Sequence, residues 1–322
     1  MGNINKSRLL YIRHILETET DENHPMTVKE IIMKLANLGI KADRRNIAVD
    51  IELLQEFGID IISSNERPMQ YFIGQRLLEP PELKLLIDAV QASPFITERK
   101  SRQLSERLSS MMSKYQAESL RRHLYADKVI KSRNEEILYI VDRINTAINS
   151  GVQVNFQYTE YTPEKEKILK HGGQIYHVSP YGLWWNHDRY YLIGYCSHHQ
   201  KITTFRAERI EHIKLTEEEA VPAPKGFDVP DFAKQRFHMF DMPPCKIVLE
   251  CDNEVMKHII DRFGEEVETK ISDITHFIAE IKTAPNPPFY AWVFQFAGKI
   301  KILSPDEIKD EYADMVNIAM RH

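Results

Sequence analysis

Apolar residues fall at helical spacing in three runs near the N-terminus. Leu9, Leu10, Ile12, Ile15 and Leu16 predict a first helix over Lys6–Glu17, followed by a polar loop that ends at Pro25. Thr27, with Glu30 three residues later, forms a capping box. A second helix therefore starts there, turns Val28, Ile31, Ile32 and Leu35 inward, and ends near Gly39. The third runs from the N-cap Asp43 to Phe57, where Gly58 stops it. Ile47, Ile51 and Leu54 recur at i, i+4, i+7 and face inward, which leaves Arg44, Arg45, Ala48, Val49 and Glu52 outward. Two extended stretches, Ile59–Ser63 and Gln70–Ile73, flank the polar tip Ser64–Pro68 and predict a hairpin.

Residues Pro80 to Ser150 read as helical in pieces, among them Glu82–Gln91, Glu98–Lys114 and Glu135–Asn149. From Gly151 the period changes to two. Val152–Tyr158, Ile175–Trp185, Arg189–Cys196 and Thr203–Leu215 are strand-like runs, separated by turns such as Gly172-Gly173 and Asn186-His187-Asp188. After the Pro-rich stretch Val221–Pro230 the expected order is strand, helix, two strands, helix, strand, helix. Strand-helix-strand-strand-helix-strand is the split βαβ, ferredoxin-like order. The fold class is α+β, in four segments: residues 1–76, a helical linker 77–134, a strand-rich block 135–220, and 221–322.

A chain of 322 residues is too long for one ordinary core, and 43% hydrophobic with 28% charged residues is the composition of a soluble globular protein. No signal-peptide pattern and no long apolar run is present, so no membrane partner is expected. Three cysteines do not make a disulfide framework, which fits a reducing cytoplasm. The net charge of −5 excludes a uniformly basic nucleic-acid coat, but a DNA reader needs cations on only one surface. The stretch from Arg99 to Arg133, with Arg122 and Lys128, is locally basic. The spacing of Cys245, Cys251 and His258 is not that of a structural zinc site, and no nucleotide-loop, nucleophile-elbow or H-E-x-x-H motif occurs. Neither catalysis, nor a metal, nor a cofactor is expected.

In a helix-turn-helix the second helix enters the major groove N-terminal residues first, with a hairpin wing against the backbone. Arg44 and Arg45 suit guanine, Asn46 suits adenine, and Lys29, Lys41 and Arg67 suit phosphate. The same geometry also serves as a protein-docking module. The stretch DRRNIAVDIELLQEFGIDI, Asp43 to Ile61, resembles the recognition helix of the DeoR-like winged helices that precede WYL domains. It departs from that family at Ala48 and Val49, where Tyr and Arg are frequent.

The segment VSPYGLWWNHDRYYLIGY, Val178 to Tyr195, followed by TFRAERIEHIKL, Thr204 to Leu215, is similar to a WYL domain. Tyr190-Tyr191-Leu192 occupies the naming triplet, and Phe205-Arg206-Ala207-Glu208-Arg209-Ile210 keeps the F-R-x-x-R-I motif. The resemblance implies an Sm-like β-barrel with an effector surface of aromatic and basic residues, here Tyr181, Arg189, Tyr190, Tyr191, Arg206 and Arg209. Rings stack on bases and guanidinium groups hold phosphate, so single-stranded nucleic acid or a nucleotide is the expected effector. The alternative is that the rings are core and the arginines surface ion pairs. The last segment resembles the extension that follows WYL domains, with Trp292 and Ser304-Pro305-Asp306 in familiar places. Together these imply a homodimeric repressor on double-stranded operator DNA, in a setting such as phage defence or the DNA-damage response. A single-strand- or RNA-binding adaptor, its N-terminal module docking a protein, is the alternative.

Overall fold

The computed structural model describes residues 2–64, 67–121, 129–234 and 242–321. Residues 65–66 of the predicted hairpin tip, with Arg122 and Lys128 of the basic stretch, lie outside the described residues. The chain divides into two compact units, Met1–Glu135 and Glu136–His322.

The first unit opens with α1 (Gly2–Glu19), β1 (Met26–Thr27), α2 (Val28–Asn37), α3 (Arg44–Glu56), β2 (Ile61–Ser63) and β3 (Gln70–Ile73). Ile12, Leu16, Ile31, Leu35, Ile47 and Ile51 meet in one core. The capping box at Thr27 is present: its side chain accepts from the Glu30 N–H, while the Glu30 carboxylate accepts from the Thr27 N–H at 2.7 Å. Arg8 on α1 donates to both oxygens of Asp50 on α3, at 2.5 and 3.2 Å, and both residues are buried. The antiparallel sheet runs β1-β3-β2, so the hairpin gains a strand that the sequence pattern did not predict. Two residues are too few to show a period.

Next come α4 (Pro80–Ala92), α5 (Glu98–Ser109) and α6 (Lys114–Arg121). Helix α5 ends earlier than its expected limit at Lys114, and Ser113 explains the restart. Its hydroxyl accepts from the Gln116 N–H at 3.1 Å and its own N–H donates to Gln116 Oε1 at 3.2 Å, a reciprocal cap. Helix α4 terminates under the Lys131 ammonium, which donates to the carbonyls of Val90, Gln91 and Ser93.

The loop after α1 joins these helices to the first three. Asp21 accepts from the Ser113 hydroxyl, from His24 Nδ1 at 2.7 Å and from the Asn23 N–H at 3.1 Å. Glu19 pairs with Lys34 of α2 and Lys114 of α6, each at 2.7 Å. Arg76 donates to the carbonyls of Glu17 and Thr20, and the His24 ring stacks on Tyr115 at 3.8 Å.

The second unit begins with α7 (Ile137–Ser150), closed by Gly151 in the left-handed region at φ 65°. Then follow β4 (Val152–Tyr161), β5 (Lys167–Leu169), β6 (Ile175–Asn186), β7 (Arg189–Cys196), β8 (Lys201–Arg206) and β9 (Ile210–Glu219). The ladder runs β4-β6-β7-β8, with β5 and β9 also on β4. A 3₁₀ turn, Ala207–Arg209, splits the expected run Thr203–Leu215 and carries the chain from the β8 edge to β4, where Ile210 pairs with Tyr158. Among the described residues no ladder joins β8 to β9, so the strands of the Sm-like β-barrel that the resemblance implied form no closed barrel here. Gly194 in β7 lies where a Cβ would come within 2.4 Å of the Ser179 carbonyl oxygen, a close approach only glycine allows.

Helix α8 (Val229–Lys234) lies over the outer face of β6 and β7. The remaining elements are β10 (Cys245–Asp252), α9 (Met256–Phe263), β11 (Glu268–Ile271), β12 (His276–Thr283), α10 (Pro287–Phe294), β13 (Ile300–Ser304) and α11 (Asp306–Met320). Their sheet, β11-β12-β10-β13, is antiparallel throughout, and the order of strands and helices is the one the sequence predicts. Among the described residues no helix is long and apolar enough to cross a membrane.

Candidate functional site

Helix α3 has two clean sides. Ile47, Asp50, Ile51 and Leu54 are buried, and Arg45, Ala48, Val49 and Glu52 are exposed along the opposite strip. Asp43 accepts from the Asn46 N–H at 2.8 Å and from the Asn46 side-chain amide at 3.0 Å. The amide expected to face adenine is thus taken up by the helix cap. Arg44 and Lys41 are exposed around the start of the helix, where the macrodipole already favours anions. Lys29 is exposed in the first turn of α2, and Arg67 is exposed ahead of β3. Lys41, Arg44 and Arg45 thus put three exposed cations at the start of α3.

In the second unit Arg206 and Tyr191 are cross-strand partners, with the guanidinium 6.0 Å from the ring centroid. Arg189 Nη1 lies 2.7 Å from Glu208 Oε1. Arg206 Nε lies 3.1 Å from the same oxygen but out of line for a hydrogen bond, so that nitrogen and Glu208 Oε2 are both buried without a partner. The Arg206 backbone N–H donates to the Tyr158 hydroxyl at 3.0 Å, and burial pushes the Tyr158 phenol up from its ordinary pKa. Arg209 offers its carbonyl to Thr159 at 3.0 Å, and its positive charge is felt at both Tyr158 and Tyr191. Two guanidinium groups therefore converge on one carboxylate, a geometry that an incoming phosphate could enter by competition.

The tyrosines do not converge with them as expected. Tyr191 is only 8% exposed and packs with Trp184, Ile193, Val229, Phe232 and Ala233. It is a core ring beside Arg206, not an open stacking surface. A later segment, Val229 to Ala233, covers its face. Tyr190 points to the other side, edge-on to Trp185 at 4.6 Å. Tyr181 donates to the Pro222 carbonyl at 3.3 Å and lies against Phe227. Of the six expected effector residues, Arg189, Tyr191 and Arg206 meet, Arg209 contributes charge, Tyr181 reaches only Phe227 at the border of the Tyr191 cluster, and Tyr190 faces the other side.

Two features were missed. One is Glu208, which lies inside the F-R-x-x-R-I motif but was read only as spacing. The other is a cleft of about 1110 Å³ between the β6–β7 tip and the final sheet, lined by Trp184, Trp185, Lys246, Arg262, Phe263 and Lys282. Burial pulls the Arg262 guanidinium down from its ordinary pKa. The adjacent Trp184-Trp185 before a turn was the available signal, but the partners lie some sixty or more positions away in the sequence and no local pattern links them. Among the described residues no three His, Cys, Asp or Glu side chains come together to hold a metal ion.

Two stretches of the second unit match known domain families. Residues 139–215 match the WYL domain and residues 243–318 match the WCX domain, so the chain carries both. Among solved structures, it is similar to proteasome accessory factor B/C (PafBC) of Arthrobacter aurescens, at 15% identity and a TM-score of 0.29, over 96% of this chain and 45% of that one. It is also similar to a CRISPR Cas-related protein, at 13% identity and a TM-score of 0.39, over 99% of this chain and 91% of that one. The chain thus spans less than half the length of the first, and likenesses this weak carry no argument. No curated protein matches it.

Proposed function

We propose that this protein is a cytoplasmic transcription regulator, a homodimeric repressor that binds duplex DNA and responds to a nucleic-acid or nucleotide effector. The helices α1 to α3 with their three-stranded sheet act as a winged helix-turn-helix, and α3 enters the major groove. The exposed Arg44 and Arg45, at the open end of a helix whose other side is buried, carry this reading above all else. Lys29, Lys41 and Arg67 hold phosphates and fix the register. Two such heads, related by a two-fold axis, fit a pseudo-palindromic operator.

The WYL part, read as an Sm-like barrel left open at one seam, senses the effector. A phosphate displaces Glu208 from Arg189 and Arg206, while Trp185 offers ring surface toward the neighbouring cleft. The WCX part, read as a ferredoxin-like unit, forms the other wall and takes part in dimer contacts. Only a difference in effector affinity between two arrangements of the dimer can shift the operator equilibrium.

The test is a gel shift on duplexes enriched from a random pool. Arg44→Ala with Arg45→Ala removes specific binding while sedimentation still shows the dimer; unchanged binding rejects the assignment. Arg206→Ala keeps operator binding but loses the response to a short single-stranded oligonucleotide. A normal response from that variant moves the effector site elsewhere.

A further inference from the structure

We infer that Ala48 and Val49 read thymine methyl groups in the major groove, beside a guanine read by Arg45. This deepens the DNA-reading assignment above and rests on it. The outward strip of α3 runs Arg45, Ala48, Val49, Glu52, at i, i+3, i+4 and i+7, opposite a strip that is wholly buried. The Asn46 side-chain amide is held by Asp43 at 3.0 Å and has turned back toward the cap, and Arg44 lies off the strip. Of the four strip residues only Arg45 carries a hydrogen-bond donor, and its fork matches guanine O6 and N7.

The next turn presents only hydrocarbon. Val49 is 48% exposed and Ala48 is exposed. Set against the edge of a base pair, neither can satisfy a donor or acceptor, so facing them with a G·C pair would dehydrate polar atoms without replacement. The thymine C5-methyl is the one apolar group that a base pair shows in the major groove. Val49 suits it because a β-branched side chain in a helix keeps essentially one rotamer, so its methyls stay where the backbone puts them. The small Ala48 lets the helix approach closely. Glu52, one turn further, accepts only from amino groups and is repelled by phosphate, which bounds the apolar pair on its far side. Each half-site then combines a guanine with one or two adjacent thymines.

The experiment uses the full chain and the duplexes it enriches from a random pool. Each thymine of the enriched site is replaced in turn by deoxyuridine, which removes the methyl and nothing else. At one or two thymines per half-site the affinity falls about fourfold, the worth of one buried methyl-sized group. Val49→Ala and Ala48→Ser, both at exposed positions, each reduce that penalty, whereas Arg45→Ala weakens binding and leaves the penalty intact. Equal binding of the thymine and deoxyuridine sites overturns the inference while the DNA reading stands. A penalty that neither variant changes also overturns it, since the methyl is then read by another element. Failure to enrich any duplex instead removes the DNA-reading assignment itself.

Discussion

Helix α3 meets solvent along one strip and its own core along the other, whereas strand β7 is covered on both faces. In β7, Leu192 and Cys196 are buried on one side, and Tyr191 and Ile193 on the other beneath α8. The difference decides what each can do. An exposed strip on a half-buried helix is free to meet a partner at no cost to the fold. A ring held in a second core supports the arginine beside it but cannot open to a ligand without uncovering apolar surface. The cationic end of α3 is thus open to solvent, and the polar groups around β7 lie at its rim, in Arg189, Arg206 and Glu208.

The largest expected effect breaks the inward side of α3. Asp50→Ala leaves the Arg8 guanidinium buried without its carboxylate, which costs about 3–5 kcal/mol. Urea unfolding of the full chain measures it, and a loss near zero would mean that the pair is not what holds α1 on α3. Next, Tyr191→Ala should lower the stability of the second unit by about 3 kcal/mol, since a large buried ring is lost. Tyr190→Ala, at a half-buried position, should cost clearly less when thermal melts of the two variants are compared. Equal losses would erase the distinction between the two faces of β7.

The smallest effect concerns acid. Burial alone would raise the Asp21 carboxyl, yet the Ser113 hydroxyl, His24 and the Asn23 N–H hold it below the ordinary aspartate pKa. A carboxyl depressed by folding stabilises the native state above its unfolded pKa, and that contribution disappears as the pH falls through the folded value. The first unit should therefore lose stability as the pH drops below about 4, the unfolded aspartate value. Asp21→Asn should flatten this limb of the curve of urea midpoint against pH. An unchanged slope would show that other carboxylates carry it.

Much of α3 was legible because a helix writes its buried side at a period no strand shares, and because Thr27 with Glu30 and Asp43 with Asn46 are local caps. The element order of the last unit was legible for the same reason, since each strand and helix carries its own period. The cover over Tyr191 was not. In Arg189–Cys196 both faces are apolar, and a strand buried on both sides reads as a continuous run that names no free face. The break before Ser113 and the turn at Ala207–Arg209 escaped because the flanking residues fit the neighbouring period equally well. The role of Glu208 depends on two arginines brought together by strand pairing and a turn, which spacing along the chain does not encode.

The loop after α1 has a mechanical consequence. Glu19 grips α2 and α6 with one carboxylate, Asp21 takes the hydroxyl that starts α6, and Arg76 clamps the same loop from the exit of the hairpin. The loop is therefore a shared anchor for α2, the exit of the hairpin and the first turn of α6. A rotation of α6 would have to break these ion pairs and hydrogen bonds or carry the loop and α2 along with it.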